Sequence, residues 1–302
     1  MGIPGKNIYR IWIILFLFSP QIVLLAESAT EINLIYTGNI NCTLDDCHCE
    51  GEVVGGFTRI LTVLNQLNSQ YPEMILVDGG DFLSSYSIPK ANRLMLSLLS
   101  EAPYDALNLG DQELVEGAGF ILDFSNDKQV KLPIISTNLQ WQLSDEPLTS
   151  QYKLVRRNAV SIAIIGIVEP TAFSFISSNQ LTVSSPAKTL KEIQERIKTH
   201  SDLQILLYHG AWPNALNFPK SFPWLDVIIL AHSQKKYSHI ESKKMILVEC
   251  GSNGEYIGHL RLRKNKSGWS FENRFIPIDR SIPINQTAQK LVDNYYHNLN
   301  HD

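Results

Sequence analysis

The sequence predicts an α/β fold in which two stacked sheets are flanked by helices. Short apolar runs rich in β-formers alternate with stretches whose apolar residues recur at helical spacing. Five of these runs end in turns that carry Asp, His or side-chain amides. Beyond Lys243 the pattern changes to closely spaced strand-like pieces divided by Gly-containing turns.

Taken in order, Ile32 to Tyr36 is a short strand, and Phe57, Ile60, Leu61, Leu64 and Leu67 then recur as one helical face after Gly55-Gly56. Met74 to Val77 predicts a buried strand, Ala91 to Leu99 a helix and Ala106 to Leu109 a further strand. Val160 to Val168 is the most apolar strand and is closed by Pro170. Pro186 opens an amphipathic helix that runs through His200, because Pro suits the first turn of a helix. Gln204 to Tyr208 and Val227 to Ala231 follow as strands. Met245 to Glu249, Tyr256 to Arg263 and Trp269 to Ile276 read as a meander, and Ala288 to Leu299 as a closing helix.

Residues 1–28 read as a signal peptide, so export to a periplasmic or extracellular compartment is expected. Lys6 and Arg10 precede the apolar stretches Ile11 to Phe18 and Ile22 to Leu25, and the small residues Ala26 and Ser28 stand before a cut at Ala29. The competing reading is an uncleaved anchor. Pro20 and Gln21 break the apolar run short of the ~20 residues that a spanning helix needs. No later segment is long and apolar enough to span a bilayer, and residues 29–302 are expected to form one domain. The net charge is −4 with no block of Lys or Arg, which argues against a nucleic-acid partner.

The five turns are Thr37-Gly38-Asn39-Ile40-Asn41, Asp78-Gly79-Gly80-Asp81, Leu109-Gly110-Asp111-Gln112-Glu113, Tyr208-His209-Gly210 and Ala231-His232-Ser233-Gln234. Residues just past strand ends share one rim of an open α/β sheet, where such folds place their sites. Their order resembles that of the calcineurin-like metallophosphoesterase superfamily, in particular the 5'-nucleotidase and UDP-sugar hydrolase branch. That family carries Asp-x-His, Gly-Asp, Gly-Asn-His-Glu, a lone His and Gly-His-x-His. Gly55-Gly56-Phe57-Thr58-Arg59, Asn138 after Pro133 to Thr137, and Gly251 to Gly258 resemble the family's flanking phrases. The resemblance covers about Glu31 to Arg263 and implies a two-sheet sandwich with helices outside (α/β/β/α). It covers only the metallophosphoesterase domain. The family's separate C-terminal domain, which recognises base and sugar, is not expected here.

In such enzymes two divalent ions roughly 3.5–4 Å apart clamp the phosphoester and activate water. The resemblance implies that Asp81 is the bridging carboxylate, and that Asp111, His209 and His232 complete the shell of one ion. Asp111 stands where the family has Asn. The other ion's own ligands are replaced: Asn39 for Asp, Asn41 for His and Gln234 for His, while Gln112 replaces the catalytic His. Neutral amides are weak ligands for a divalent ion, so one ion is expected, with Mn, Zn and Fe not distinguished. Gln112 cannot exchange a proton near neutral pH, so no catalytic residue is assigned. Read singly, Asp81 and Asp111 also suit turn or cap positions, and His209 and His232 suit satisfied strand-end histidines.

Cys42, Cys47, His48 and Cys49 form a cysteine loop after the first strand. The haem spacing Cys-x-x-Cys-His is absent, so no haem is expected. Three Cys with His48 could supply a zinc site, but an exported chain favours disulfides. Cys42 with Cys47 or Cys49, and Cys250 with the remaining one, are the pairings expected. Trp212, Phe218, Phe222 and Trp224, interleaved with prolines, form either a ligand-stacking rim or a hydrophobic lid.

Three functions stand open. The favoured one is a degenerate member of the fold that serves as a binding or accessory module for another exported protein. The alternative is an active phosphoester hydrolase with a single-metal site. The third is a thiol or metal site on the cysteine loop.

Overall fold

The computed structural model describes residues 1–2, 30–46, 51–125, 132–175, 180–241 and 244–299. The expected leader beyond residue 2, and Cys47, His48 and Cys49, lie outside the described residues. The first half runs β1 (Glu31–Thr37), α1 (Phe57–Gln70), β2 (Ile75–Asp78), α2 (Pro89–Leu99), β3 (Ala106–Asn108), α3 (Ala118–Ser125), β4 (Ile134–Ile135), β5 (Leu139–Trp141) and β6 (Tyr152–Arg157). There follow β7 (Val160–Val168), β8 (Leu181–Val183), α4 (Pro186–His200), β9 (Leu203–His209), α5 (Trp212–Ala215), α6 (Phe218–Ser221) and β10 (Val227–Ala231). The chain continues through β11 (Lys236–Glu241), β12 (Met245–Cys250), β13 (Tyr256–Asn265), β14 (Gly268–Pro277) and α7 (Gln286–Leu299).

These strands form two six-stranded sheets and a small β5–β8 ribbon. The first sheet has the order β14-β13-β1-β2-β3-β4, parallel from β1 to β4 and extended by an antiparallel hairpin. The second has the order β11-β12-β10-β9-β7-β6, with four parallel inner strands and antiparallel edges.

The alternation of side chains along each strand sorts the layers. Ile32, Leu34 and Tyr36 of β1 share a buried cluster with Ile162, Ile164, Ile205 and Leu207 of the second sheet. Ile35 points the other way, into the cluster that holds Phe57, Ile60, Leu61 and Leu64 of α1. On the far side, Leu190, Ile193 and Ile197 of α4 cover Ile165, Leu206 and Ile228. The architecture is therefore helix, sheet, sheet, helix, as the sequence predicts. Phe218 and Phe222 are buried in this outer layer, with Phe218 edge-on to Tyr208 at 4.8 Å. The aromatic segment is a lid packed on the core.

The expected meander is corrected. β12 lies in the second sheet between β10 and β11, whereas β13 and β14 close the first sheet beside β1. Every residue of β12 is buried, which suits an interior parallel strand, and the chain crosses between sheets over residues 251–255. β11 escapes sequence reading because Lys236–Glu241 is a polar, largely exposed edge strand.

Two buried amides tie the layers. Asn108 of β3 donates toward the carbonyls of Ile167 and Leu207 in the second sheet, at 3.2 and 3.4 Å. Asn138 exchanges hydrogen bonds with Val168 at 2.7 and 3.0 Å and so pins the end of β7.

His259 of β13 is fully buried between Arg274, whose Nε donates to Nδ1 at 3.0 Å, and Asn33, whose Oδ1 accepts from Nε2 at 2.8 Å. A second ring proton would face the Arg274 donor. Burial, followed by the charges of Arg274 and Arg261, lowers its pKa to about 4. The unfolded chain therefore binds the extra proton and the folded one does not. Stability should fall as pH drops from about 6.5 to about 4, by roughly 3 kcal/mol from this group. Urea denaturation at stepped pH checks this. The His259→Gln variant should lose that part of the slope, and an unchanged slope would contradict the assignment.

Candidate metal centre

The turns after β1, β2, β3, β9 and β10 meet at the carboxyl ends of both parallel ladders. Asp81, Asp111, His209 and His232 converge there, each offering an oxygen or nitrogen within 4.8 Å of the others. His209 Nε2 lies 3.3 Å from Asp81 Oδ1 and 3.0 Å from Asp111 Oδ1. His232 Nδ1 lies 3.2 Å from Asp111 Oδ1 and 4.0 Å from Asp81 Oδ2. His209 directs Nδ1 at the Gly79 carbonyl, 3.4 Å away, which leaves Nε2 facing the carboxylates. An outer hydrogen bond of this kind fixes the tautomer of a metal-binding histidine. Two carboxylates and two imidazoles form a donor set that fits one divalent transition ion.

The carboxyls are electrostatically unequal. Burial, then the neighbouring charge of Asp111, raises the pKa of Asp81. Burial also acts on Asp111, but hydrogen bonds from His209 and His232 outweigh it and hold that carboxyl below the usual range.

Several of these residues occupy the left-handed backbone region that a β-carbon disfavours: Asn39 at φ 52°, Asn41 at 53°, Asp81 at 59°, His232 at 86° and Gln234 at 56°. Glycine makes room beside them. A Cβ at Gly110 would lie 2.6 Å from both Asp81 Oδ1 and His209 Cε1.

The side-chain amides of Asn39, Asn41 and Gln112 bond to the scaffold and to each other. Asn39 is fully buried, donates to Glu249 Oε1 at 3.1 Å and to Gly251 O at 2.8 Å, and accepts the His232 N–H at 2.6 Å. Asn41 donates to Asn253 Oδ1 at 2.9 Å and accepts from Gln112 Nε2 at 3.1 Å. The Gln112 backbone N–H points at Asp81 Oδ1, 3.3 Å away. Gln234 is exposed.

The cysteines depart from expectation. Cys42 and Cys250 are free thiols, so neither is in the disulfide expected of it. Cys250 lies buried with Sγ 3.9 Å from the Gly38 carbonyl, beneath the first turn. Burial pushes the Cys42 thiol up to about 12 and raises that of Cys250, which keeps both protonated.

Sequence reasoning assigned no role to Glu113, the residue that shapes the centre. Fully buried, it accepts from the backbone N–H groups of Asp81, Phe82, Leu83 and Gly110 at 3.0, 2.8, 3.0 and 2.7 Å. One carboxylate thereby fixes both Asp-bearing turns. Its sequence signal is its place two residues after Asp111, at the Glu of the Gly-Asn-His-Glu pattern that this turn resembles. Asp78, also fully buried, accepts from Thr37 Oγ1 at 2.6 Å and Gly80 N at 2.8 Å and braces the turn from below.

Glu113→Ala would leave those backbone donors buried without an acceptor. The expected loss of unfolding free energy is about 3 kcal/mol or more. Denaturant titration of the ion-free protein checks it, and a loss below about 1 kcal/mol would contradict the clamp.

No protein-family model matches the chain. Human 5'-nucleotidase is 23% identical over 318 residues, which cover 89% of this chain and 54% of that protein. A Haemophilus influenzae 2',3'-cyclic-nucleotide 2'-phosphodiesterase/3'-nucleotidase is 24% identical over 255 residues, or 72% of this chain and 38% of that protein. The chain thus spans about half the length of the first of these relatives and less of the second. A 5'-nucleotidase precursor from Thermus thermophilus superposes with a TM-score of 0.77 at 16% identity, covering 89% of this chain and 59% of that one. A calcineurin-like phosphoesterase, YfkN from Bacillus subtilis, gives 0.72 at 20% identity, covering 89% and 98%. The relatives and structural neighbours of this chain are 5'-nucleotidases and calcineurin-like phosphoesterases, and it has their metallophosphoesterase fold.

Proposed function

We propose that this protein is an exported metallophosphoesterase-fold module that holds one divalent ion and serves in binding rather than phosphoester hydrolysis. The supporting observation is the state of Asn39, Asn41 and Gln112. Their side chains are engaged by Glu249, Gly251, Asn253 and one another, while Asp81, Asp111, His209 and His232 stay together. When bound, the ion would supply positive charge at a cleft edge where His232 and Asp111 are partly exposed, a site for an anionic or carbonyl group of a partner. Gln112 lies where the resembled enzymes carry their acid, and an amide cannot deliver a proton. Loss of that step alone typically costs ~10²–10⁴-fold in rate.

A hydrolase with a single ion is the second reading, favoured by the same intact four-residue cluster. Calorimetric titration with Mn²⁺ or Zn²⁺, paired with phosphomonoesterase and phosphodiesterase assays, separates the two. One equivalent bound, lost in Asp81→Ala, with no turnover above the metal-only control, is the expected outcome. Brisk turnover abolished by Asp81→Ala or His232→Ala would overturn the non-catalytic reading.

Export rests on Lys6, Arg10, the apolar core and the small residues before Ala29. Among the described residues, no helix is long and apolar enough to cross a membrane. Secreted protein should begin near Ala29 on N-terminal sequencing, and retention of residues 1–28 would contradict cleavage.

A further inference from the structure

Both N–H groups and the oxygen of the Asn39 side chain are hydrogen-bonded inside the fold. Its two N–H groups go to Glu249 Oε1 and the Gly251 carbonyl, and its oxygen receives the backbone N–H of His232. Both Asn39 and Glu249 are fully buried, and Glu249 belongs to β12, an interior strand of the opposite sheet. His232 sits at φ 86°, so its backbone is held in a conformation that a β-carbon disfavours. The Asn39 oxygen, 2.6 Å from the His232 nitrogen, is the contact that holds it. An Asp at position 39 would keep that acceptor but offer no donor to Glu249 or Gly251, and would set one buried carboxylate against another.

We propose that Asn39 and Glu249 form a matched amide–carboxylate pair that positions His232 for the single ion. The inference rests on the one-ion reading and extends it to two residues outside the ligand set. It also means that restoring an acid at position 39 requires a change at 249. Glu249→Gln supplies the missing donor from the other side.

A double-mutant cycle tests the pair in the ion-free protein. Asn39→Asp should lower the melting temperature by roughly 5–10 °C. Glu249→Gln alone should cost less than Asn39→Asp, because a rotated amide still presents oxygen to Asn39 although its NH2 then faces the backbone N–H groups of Lys235 and Gln234. The combined variant should recover at least half of the Asn39→Asp loss. Zn²⁺ affinity, measured well below each melting transition, tests the positioning. Asn39→Ala removes the His232 acceptor and should weaken binding by about tenfold or more. Asn39→Asp/Glu249→Gln retains that acceptor and should bind at least as tightly as the parent. Additive losses in the cycle, or parental Zn²⁺ affinity in Asn39→Ala, would overturn the proposal. A parent protein that binds no ion would instead overturn the one-ion reading, while the ion-free cycle would still judge the pair.

Discussion

The Asn39 amide joins β12 to the turn that carries His232, donating to Glu249 and accepting the His232 backbone N–H. The opposite half of the centre depends on a similar internal bond. Glu113 gathers four backbone N–H groups and so fixes Asp81 and Gly110 against each other. Between these two anchors the ligand-bearing turns have little freedom. The positive φ values at Asp81 and His232 are the conformational cost of aiming two side chains at one point, and Asn39 and Asn41 share that backbone conformation in the turn beside them. Backbone strain of this kind persists only where the surroundings over-determine it, and it gathers at functional sites.

The two-sheet architecture makes the convergence possible. Parallel strands deliver their following turns to one rim, and stacking two such sheets brings the turns after β1, β2 and β3 of one together with those after β9 and β10 of the other. Apolar side chains between the sheets supply most of the adhesion, each fully buried Leu or Ile contributing about 1.5–3 kcal/mol. Asn108 and Asn138 add direction to that adhesion, since each donates to a buried carbonyl of the second sheet.

Much of this was legible in the sequence because the relevant signals are local. Apolar runs located β1, β2, β7, β9 and β10, helical spacing located α1, α4 and α7, and the family resemblance of the strand-end turns named the four residues that cluster. What stayed hidden depends on contacts between distant segments. The partner of β12 is set by burial on both faces, not by its neighbours in sequence, so a run of strands read as a meander splits between two sheets. Glu249 carries no motif of its own and Glu113 only closes the Gly110-Asp111-Gln112-Glu113 turn, so their roles appear only when backbone donors or the Asn39 amide arrive from elsewhere in the chain. Cys42 and Cys250 show the limit of compartment reasoning. Export permits disulfides, but an inward-facing thiol in a packed layer, such as Cys250, remains a small apolar side chain.

The central claim is that one half of a two-ion centre is retained and the other is closed by side-chain amides. Anomalous diffraction from crystals soaked in Mn²⁺ or Zn²⁺ tests it most directly. The account predicts one peak, among Asp81, Asp111, His209 and His232, with Asn39 still bonded to Glu249 and His232. Two peaks, the second coordinated by Asn39, Asn41 and Gln234, would contradict it.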